Sequence, residues 1–271
     1  MTLNFAELTQ KMRAGEPATE QDILDVVTAG PGATFALVEF AAEFRRKFFR
    51  NTVEVVNLID AQGNEPAELP TETHAINVGA GESNEELAQQ IFALAHNDDA
   101  PRVTVNFLVP GEGIEAPGAS SLTPMQCLRV LAAIRLAAPA KSLRVGSGRD
   151  LHLRSLQALA MHVIDSLYLR DFRVSEPPAV FEDLKLLSGA GLVVLGAENR
   201  DLAADYVAYL RAQGVDDAQG YADVILAEEN PADGGGCGGN CGCGSGGCGS
   251  SEPAEAPQSG GCGCGGGGCG R

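Results

Sequence analysis

Residues 102–150 read RVTVNFLVPGEGIEAPGASSLTPMQCLRVLAAIRLAAPAKSLRVGSGRD and contain the clearest secondary-structure pattern of the chain. The β-branched run 103–109 has the length of a strand, and a second strand begins at 142–145. Between them, Thr123 and Gln126 form the capping pattern that begins a helix. A strand, a crossover helix and a second strand are typical of a βαβ unit with parallel strands. The stretch therefore predicts an α/β protein.

Three motifs in this stretch match a known family. They are NFLVPxxG from residue 106, LTPxxxLRVLAxxRLxxP from residue 122 and RVxSGR from residue 144. Together they resemble the C-terminal half of biotin synthase, a region shared with related radical S-adenosylmethionine enzymes of biotin and thiamine synthesis. The predicted helix 34–49, which carries AxxxRxxFF before a strand, is similar to the entrance of the same barrel. The resemblance covers about residues 35–63 and 71–192 and implies (β/α)8 barrel strands, with Arg149 directed into the lumen.

The chain departs from this family after the first strand. There the family places CxxxCxxC, whose three thiolates hold the [4Fe–4S] cluster that cleaves S-adenosylmethionine. Here the predicted strand 52–59 continues into residues 60–64, DAQGN, and no cysteine precedes Cys127. Carboxylate and amide groups do not replace thiolates without changing the cluster chemistry. We therefore expect no radical-generating site, no catalytic residue of that kind and no use of S-adenosylmethionine.

A second match lies upstream of the first stretch. Residues 71–82, TETHAINVGAGE, are similar to the family's fifth-strand motif GxIxGxxE, which lines the S-adenosylmethionine site. The βα units between the first and the fifth strand are therefore missing. The resemblance implies that Glu82, Asn106 and Arg149 are the cofactor-binding residues of the remaining pocket. For Arg149, loop solvation or a salt bridge is the competing interpretation.

The remaining units predict an α/β fold with too few strands for a closed eight-stranded barrel. We expect a partial (β/α) barrel or an open parallel sheet of five to six strands with flanking helices, followed by a disordered Gly/Cys-rich tail. The new sheet edges require cover by the N-terminal helices or a second subunit, and a homodimer that completes the barrel is the alternative. The domains are predicted as 1–230 and 231–271. The predicted strands lie near 52–59, 73–78, 103–109, 142–146 and 166–169, with a candidate sixth at 192–195.

Composition and charge restrict the function classes. The chain has 271 residues and 44% hydrophobic content, which is enough for a core. Its formal net charge of −17 argues against nucleic acid or an anionic membrane as a partner, because both bind basic surfaces. The N-terminus lacks an apolar signal segment, and no run reaches the ~18 apolar residues of a membrane span. We therefore expect a cytoplasmic protein that contacts neither nucleic acid nor membrane.

Several reactive residues have plain structural interpretations. Cys127 stands on the predicted mid-chain helix and is expected to be a small core residue. Residues 45–47, RRK, interrupt an apolar helix face and are expected to form a solvated edge. The four histidines show no HxxxH or HE spacing, so they predict no metal site. An amphipathic helix is predicted over residues 150–163.

The end of the chain has a different composition. Residues 234–271 hold 18 of the 34 glycines and every cysteine except Cys127, and CGCGSGGCGS at 241–250 returns as CGCGGGGCGR at 262–271. Glycine at this density predicts disorder until a ligand organises the segment. Clustered thiols in a reducing compartment favour Zn, Cu(I) or an iron–sulfur cluster over disulfides. The predicted metal ligands are Cys237, Cys241, Cys243, Cys248, Cys262, Cys264 and Cys269.

Three functions remain open at this point. In the first, a biotin synthase-like protein is non-catalytic alone, and its tail binds metal or an iron–sulfur cluster in support of a complete biotin synthase or related enzyme. In the second, the residual pocket binds a small molecule or performs a non-radical reaction. In the third, the tail is the substrate of a peptide-modifying enzyme, because Gly/Ser/Cys runs resemble heterocycle-bearing microcin-like precursors. A tail that binds no ion is the alternative to metal binding.

Overall fold

The structure is a computed structural model that describes residues 3–56, 74–109, 111, 117–118, 121–169 and 177–227. These residues belong to one compact unit, Met1–Glu228. The predicted tail domain with its seven cysteines, residues 60–64 and the end of the predicted first strand lie outside the described residues. The division of the chain at residue 230 and the disorder of the tail therefore stay predictions.

Ten helices are found among the described residues, and three begin with a reciprocal capping box. The side chains of Thr19, Ser83 and Thr123 each accept a hydrogen bond from the backbone N–H three residues later. The side chain of that later residue accepts a hydrogen bond from the backbone N–H of the capping residue in return. Within the described ranges, no single helix is long and apolar enough to cross a membrane, and only a pair bent by 107° passes on length and composition. The helices are α1 (Phe5–Arg13), α2 (Glu20–Val27), α3 (Thr34–Phe49), α4 (Asn84–Ala95), α5 (Pro124–Ala137), α6 (Arg149–Leu153), α7 (Gln157–Met161), α8 (Pro177–Gly189), α9 (Leu202–Ala212) and α10 (Ala218–Leu226).

Six parallel strands among the described residues form one open sheet. The strands are β1 (Thr52–Val55), β2 (Ala75–Val78), β3 (Arg102–Phe107), β4 (Ser142–Val145), β5 (Ser166–Leu167) and β6 (Val193–Val194). Their order is β2-β3-β4-β5-β1-β6, so the first strand of the chain lies between the last two. Helices flank this sheet, which confirms the predicted α/β fold with an open parallel sheet and the sixth strand. Strands β2 and β6 are its edges.

Helix α5 lies at the centre of the core. Ten of its 14 residues are buried, because it packs against both α2 and α3 while also lying on the sheet. The apolar side chains that alternate along the strands, such as Val105 and Val145, are fully buried beneath the helices. Each buried leucine of α5, such as Leu128 or Leu131, stabilises the fold by about 2 kcal/mol. Cys127 is fully buried in the same core, as the sequence predicts.

The expected solvated edge at residues 45–47 is wrong for Arg45. Its side chain is buried, and its guanidinium donates to the carbonyl oxygens of Ile164 at 3.0 Å and Thr52 at 2.6 Å, and to that of Arg50. These carbonyls lie where the chain enters β1 and β5, beyond the reach of the sheet hydrogen bonds. A buried carbonyl without a hydrogen-bond donor destabilises the fold. The single guanidinium of Arg45 supplies donors to three carbonyl oxygens.

The predicted helix 150–163 is interrupted. Helix α6 ends at Leu153, a 3-10 turn covers Arg154–Leu156, and α7 then runs from Gln157 to Met161. Arg154 has φ +50°, and a residue in this region cannot continue a right-handed helix. Sequence periodicity does not report a positive φ at an arginine, so the break was not predictable.

Candidate functional site

One face of the sheet carries polar side chains at alternate positions of five strands. Because successive residues of a strand point to opposite faces, partners in register line up in rows across this face. Thr104, Arg144, Ser166 and Glu54 form one row, and Asn77 faces Asn106 in the next. We call the whole set the polar sheet face: Glu54, Asn77, Arg102, Thr104, Asn106, Ser142, Arg144 and Ser166.

Glu54 is the centre of the hydrogen bonds on this face. Its Oε2 accepts from Ser166 Oγ at 2.6 Å and from Arg144 Nη2 at 3.0 Å. Arg102 Nη2 lies 2.9 Å from both carboxylate oxygens. Arg144 Nε also donates to Ser166 Oγ at 2.9 Å, so these four side chains form one network. Each guanidinium reaches Glu54 across the strands between them, which ties β3, β4, β5 and β1 together.

The environment keeps Glu54 ionised. Burial by itself raises the pKa of a carboxyl group, but the hydrogen bonds from Ser166 and Arg144 and the charges of Arg102 and Arg144 outweigh it. The pKa of Glu54 is therefore lowered. Arg144 has a fully buried side chain beneath the ring of Tyr168, 5.3 Å from its centroid, whereas the side chains of Arg102 and Glu54 remain about one-third exposed.

Asn106, one of the predicted binding residues, joins two strand ends on the same face. Its Nδ2 donates to Asn77 Oδ1 at 3.1 Å, and its Oδ1 accepts from the backbone N–H of Ser147 at 3.1 Å. A Cβ at Gly146 would lie 2.2 Å from that Oδ1, so only glycine leaves room for the amide. Asn106 therefore positions the turn after β4, and it remains half-exposed to a ligand.

Arg149, another predicted binding residue, does not lie on the polar sheet face. Gly148, with φ +72°, turns the chain into α6 against the carbonyl oxygen of Phe107, where a Cβ would lie only 1.9 Å away. The turned chain directs Arg149 into the helix layer. Its guanidinium donates to Asp183 Oδ2 at 2.8 Å and to Gln157 Oε1 at 2.5 Å, with both ionic groups buried. This buried ion pair agrees with the competing interpretation of Arg149, which was a salt bridge.

Glu82, the third predicted residue, lines a small cavity after β2. Its Oε1 accepts from the backbone N–H of Gly79 at 2.8 Å, and its buried Oε2 has no hydrogen-bond partner in the part of the chain that the structure describes. The cavity has a volume of about 100 Å³. Its polar lining also includes Ser121 and Gln126. A hydrogen-bond donor, such as a water, a hydroxyl or an amine, satisfies a carboxylate oxygen in this position.

The three predicted residues thus lie in three different environments. Asn106 and Arg149 do not line the Glu82 cavity, and Arg149 is removed from the polar sheet face by the turn at Gly148. Sequence reasoning missed Glu54, Arg102 and Arg144. Their signal was present as charged residues alternating with valine or leucine in TVEV, RVTV and SLRV.

Thiol chemistry is absent from the described core. Among the residues that the structure describes, no group of three His, Cys, Asp or Glu side chains is arranged to hold a metal ion. Burial raises the pKa of the Cys127 thiol to about 12, so it stays protonated at neutral pH. The seven cysteines predicted as metal ligands lie outside the described residues.

The chain is similar to known proteins over part of its length. Residues 104–193 match the Biotin and Thiamin Synthesis associated domain, which spans β3, α5, β4 and β5 and ends at β6. Biotin synthase of Kocuria rhizophila is 45% identical over 120 residues, which are 44% of this chain and 25% of that protein. Biotin synthase of Nocardioides sp. is 38% identical over 154 residues, 57% of this chain and 41% of the relative.

A longer match extends the similarity. Biotin synthase of Streptomyces avermitilis is 35% identical over 187 residues, which are 67% of this chain and 41% of that protein. The chain therefore matches less than half the length of each of these relatives. Within that part, the matched domain contains Asn106, Arg144 and Arg149. Residues 104–193 resemble the Biotin and Thiamin Synthesis associated domain, and the predicted resemblance of the chain to the biotin synthase family is confirmed.

Proposed function

We propose that this chain is a non-catalytic, biotin synthase-like protein of the cytoplasm that supports the synthesis of biotin or a related cofactor. In this role its tail binds a metal ion or an iron–sulfur cluster, and it acts beside a complete biotin synthase or a related radical enzyme. One observation carries the proposal. Cys127 is the only cysteine before residue 237, and it is buried in the core with a raised pKa. All accessible thiolate ligands therefore belong to the tail.

The composition of the tail supports soft-metal binding. Each ten-residue repeat contains three cysteines, separated by glycine and one serine in the first repeat and by glycine alone in the second, and Cys237 adds a seventh. Thiolates favour Zn²⁺, Cu(I) and iron–sulfur clusters, and glycine imposes no steric barrier to their convergence. Two repeats of equal pattern predict two equivalent binding units.

Reconstitution of the full chain tests this role. We expect anaerobic incubation with iron and sulfide, or with Zn²⁺, to give a stoichiometric metal content and, with iron, visible absorbance. A variant with serine at the seven tail cysteines should bind nothing, while the matched control Cys127→Ala should bind as the parent chain does. A colourless, metal-free parent chain after both treatments would refute the proposal.

A second candidate function rests on the Glu82 cavity and the polar sheet face. The Oε2 of Glu82, which has no hydrogen-bond partner among the described residues, and the partly exposed side chains of Arg102, Glu54 and Asn106 offer hydrogen bonds to a small polar molecule. Calorimetry with S-adenosylmethionine and dethiobiotin tests it. The second function is supported if Glu82→Gln abolishes the heat of binding and the exposed control Glu85→Gln does not. No heat of binding with either ligand would refute it.

The sheet edges support a further element of the proposal, a homodimer. Strands β2 and β6 are the outer strands of the described sheet, and an unpaired parallel edge is a template for association. Light scattering of the full chain at several concentrations distinguishes the dimer from a monomer. A mass that stays monomeric at all concentrations would exclude completion of the barrel by a second copy.

A further inference from the structure

A groove between α9 and α10 lies apart from the polar sheet face and the Glu82 cavity. It has a volume of about 370 Å³. Its floor is formed by Val207 and Ala222, which are buried, and Leu226 stands at its end. The full lining consists of Asp201, Ala203, Ala204, Val207, Gln219, Ala222, Asp223, Leu226 and Ala227. Small apolar side chains thus form a concave surface that larger apolar side chains can enter.

The charged residues that line this groove have one sign, while Arg211 reaches its edge by donating to Gln219 Oε1 at 3.3 Å. Asp201 and Asp223 are its charged lining residues, and both carry carboxylates. Gln219 Nε2 donates to Asp223 Oδ1 at 2.9 Å, which fixes that carboxylate at the rim. An apolar floor between carboxylates is complementary to an amphipathic helix that carries lysine or arginine beside its apolar stripe.

We propose that the α9–α10 groove docks an amphipathic, basic helix of a partner protein. Leucine-like side chains of that helix contact Val207, Ala222 and Leu226, and its cationic side chains pair with Asp201 and Asp223. This inference goes beyond the proposed function, because it does not depend on metal binding by the tail.

The chain's own tail does not fit this groove chemically. Residues 228–271 contain no valine, leucine, isoleucine, methionine or aromatic residue, and their charges are acidic apart from Arg271. Such a segment has no large apolar side chain to bury against the floor of the groove. The carboxylates of Asp201 and Asp223 repel its acidic residues. At this groove, a second copy of this chain with a net charge of −17 meets the same carboxylates, whereas the proposed homodimer uses the sheet edges.

Fluorescence anisotropy of the full chain with a defined probe tests the proposal. The probe is a synthetic helical peptide of leucine and lysine with its leucines on one face, and a scrambled peptide of equal charge is the control. We expect saturable binding of the amphipathic peptide that weakens with added salt. Ala204→Trp, which fills the groove at an exposed site, and Asp223→Lys should each weaken it at least about tenfold.

Two matched variants separate the groove from general attraction to an acidic protein. Ala212→Trp makes the same change on α9 outside the groove, and Asp98→Lys makes the same charge reversal in a distant exposed loop. Both should bind the peptide as the parent chain does. Equal binding of the scrambled peptide, or insensitivity to Ala204→Trp, would overturn the proposal. A dimer of the parent chain that Ala204→Trp dissociates would also overturn it, in favour of a second copy as the occupant.

Discussion

Arg102 Nη2 lies 2.9 Å from Glu54 Oε2, which joins β3 to β1 across the two strands that lie between them. The two residues are 48 positions apart in the chain, and neither belongs to a motif of the family resemblance. Arg144, on one of the intervening strands, donates to the same carboxylate. The polar sheet face is therefore organised by one carboxylate and two guanidinium groups of unequal burial.

This difference in burial predicts unequal roles for the two arginines. Arg144→Met removes a fully buried guanidinium that donates to both Glu54 and Ser166, and it should lower the free energy of unfolding by about 3 kcal/mol. Arg102→Met removes a partly exposed partner and should cost less than about 1 kcal/mol. Urea unfolding followed by circular dichroism measures both. Equal losses would contradict this description of the network.

Acid should weaken the same network. Because the pKa of Glu54 is lowered in the folded chain, its contribution is complete above the unfolded pKa, about 4.3, and is lost as pH falls through the folded value. We expect the stability difference between the parent chain and Glu54→Gln to be largest near neutral pH and to shrink below pH ~4. Ser166→Ala removes one hydrogen bond to the carboxylate and should reduce this pH dependence. Parallel pH profiles for the parent and Glu54→Gln would argue against it.

Thiol accessibility should divide the eight cysteines into two classes. In the chelator-treated, reduced chain we expect every cysteine except Cys127 to react rapidly with a thiol reagent, because Cys127 is fully buried and its pKa is raised to about 12. Denaturation should then expose one further thiol. Mass spectrometry counts the adducts before and after, and rapid native labelling of Cys127 would show that α5 does not pack as described.

The buried pair of Arg149 and Asp183 should act in stability alone. Arg149→Met removes the guanidinium that donates to Asp183 and should cost about 3 kcal/mol, and Asp183→Asn should also destabilise. The double variant should lose less than the sum of the two, because the residues share one interaction. Thermal unfolding gives the three values. Metal uptake by the tail should be the same in all three variants, and a change confined to Arg149→Met would restore a binding role for it.

Gly148 should tolerate no side chain. A Cβ there would lie 1.9 Å from the carbonyl oxygen of Phe107, and φ is +72°. Gly148→Ala should therefore destabilise the fold by about 2 kcal/mol or more, since strain and a backbone clash add. Gly32→Ala, where a Cβ meets nothing within 4 Å, is the matched control and should be nearly neutral. Similar unfolding midpoints for the two variants would count against the turn geometry.

Much of the fold was predictable because its signals are local. The βα pattern at residues 102–150 predicted parallel strands, and the capping boxes at Thr19, Ser83 and Thr123 mark where three helices begin. Helix α1 was not predicted, although Asn4 caps it and Phe5, Leu8 and Met12 have helical spacing. The break at Arg154 was missed since it depends on a backbone angle that no sequence period encodes.

The candidate site was predictable only in part. Glu82 and Asn106 were identified through the resemblance and do carry hydrogen bonds at strand ends, whereas the network around Glu54 was overlooked. Arg149 was expected to face the barrel lumen, but the Gly148 turn directs it into the helix layer instead. The direction of a side chain after a tight turn follows from close atomic contacts, and a one-dimensional motif does not contain them.

The strand and helix types, the family resemblance and the concentration of seven of the eight cysteines at the end of the chain follow from the sequence alone, because periodicity, capping and residue counts are properties of the chain. The tertiary structure was needed to show that Glu54 accepts hydrogen bonds from Arg102, Arg144 and Ser166, that Arg45 is buried, and that Arg149 pairs with Asp183. These outcomes depend on which strands become neighbours. The packing of the whole sheet determines which strands are neighbours. It places β1 between β5 and β6, which are both far from β1 in the sequence.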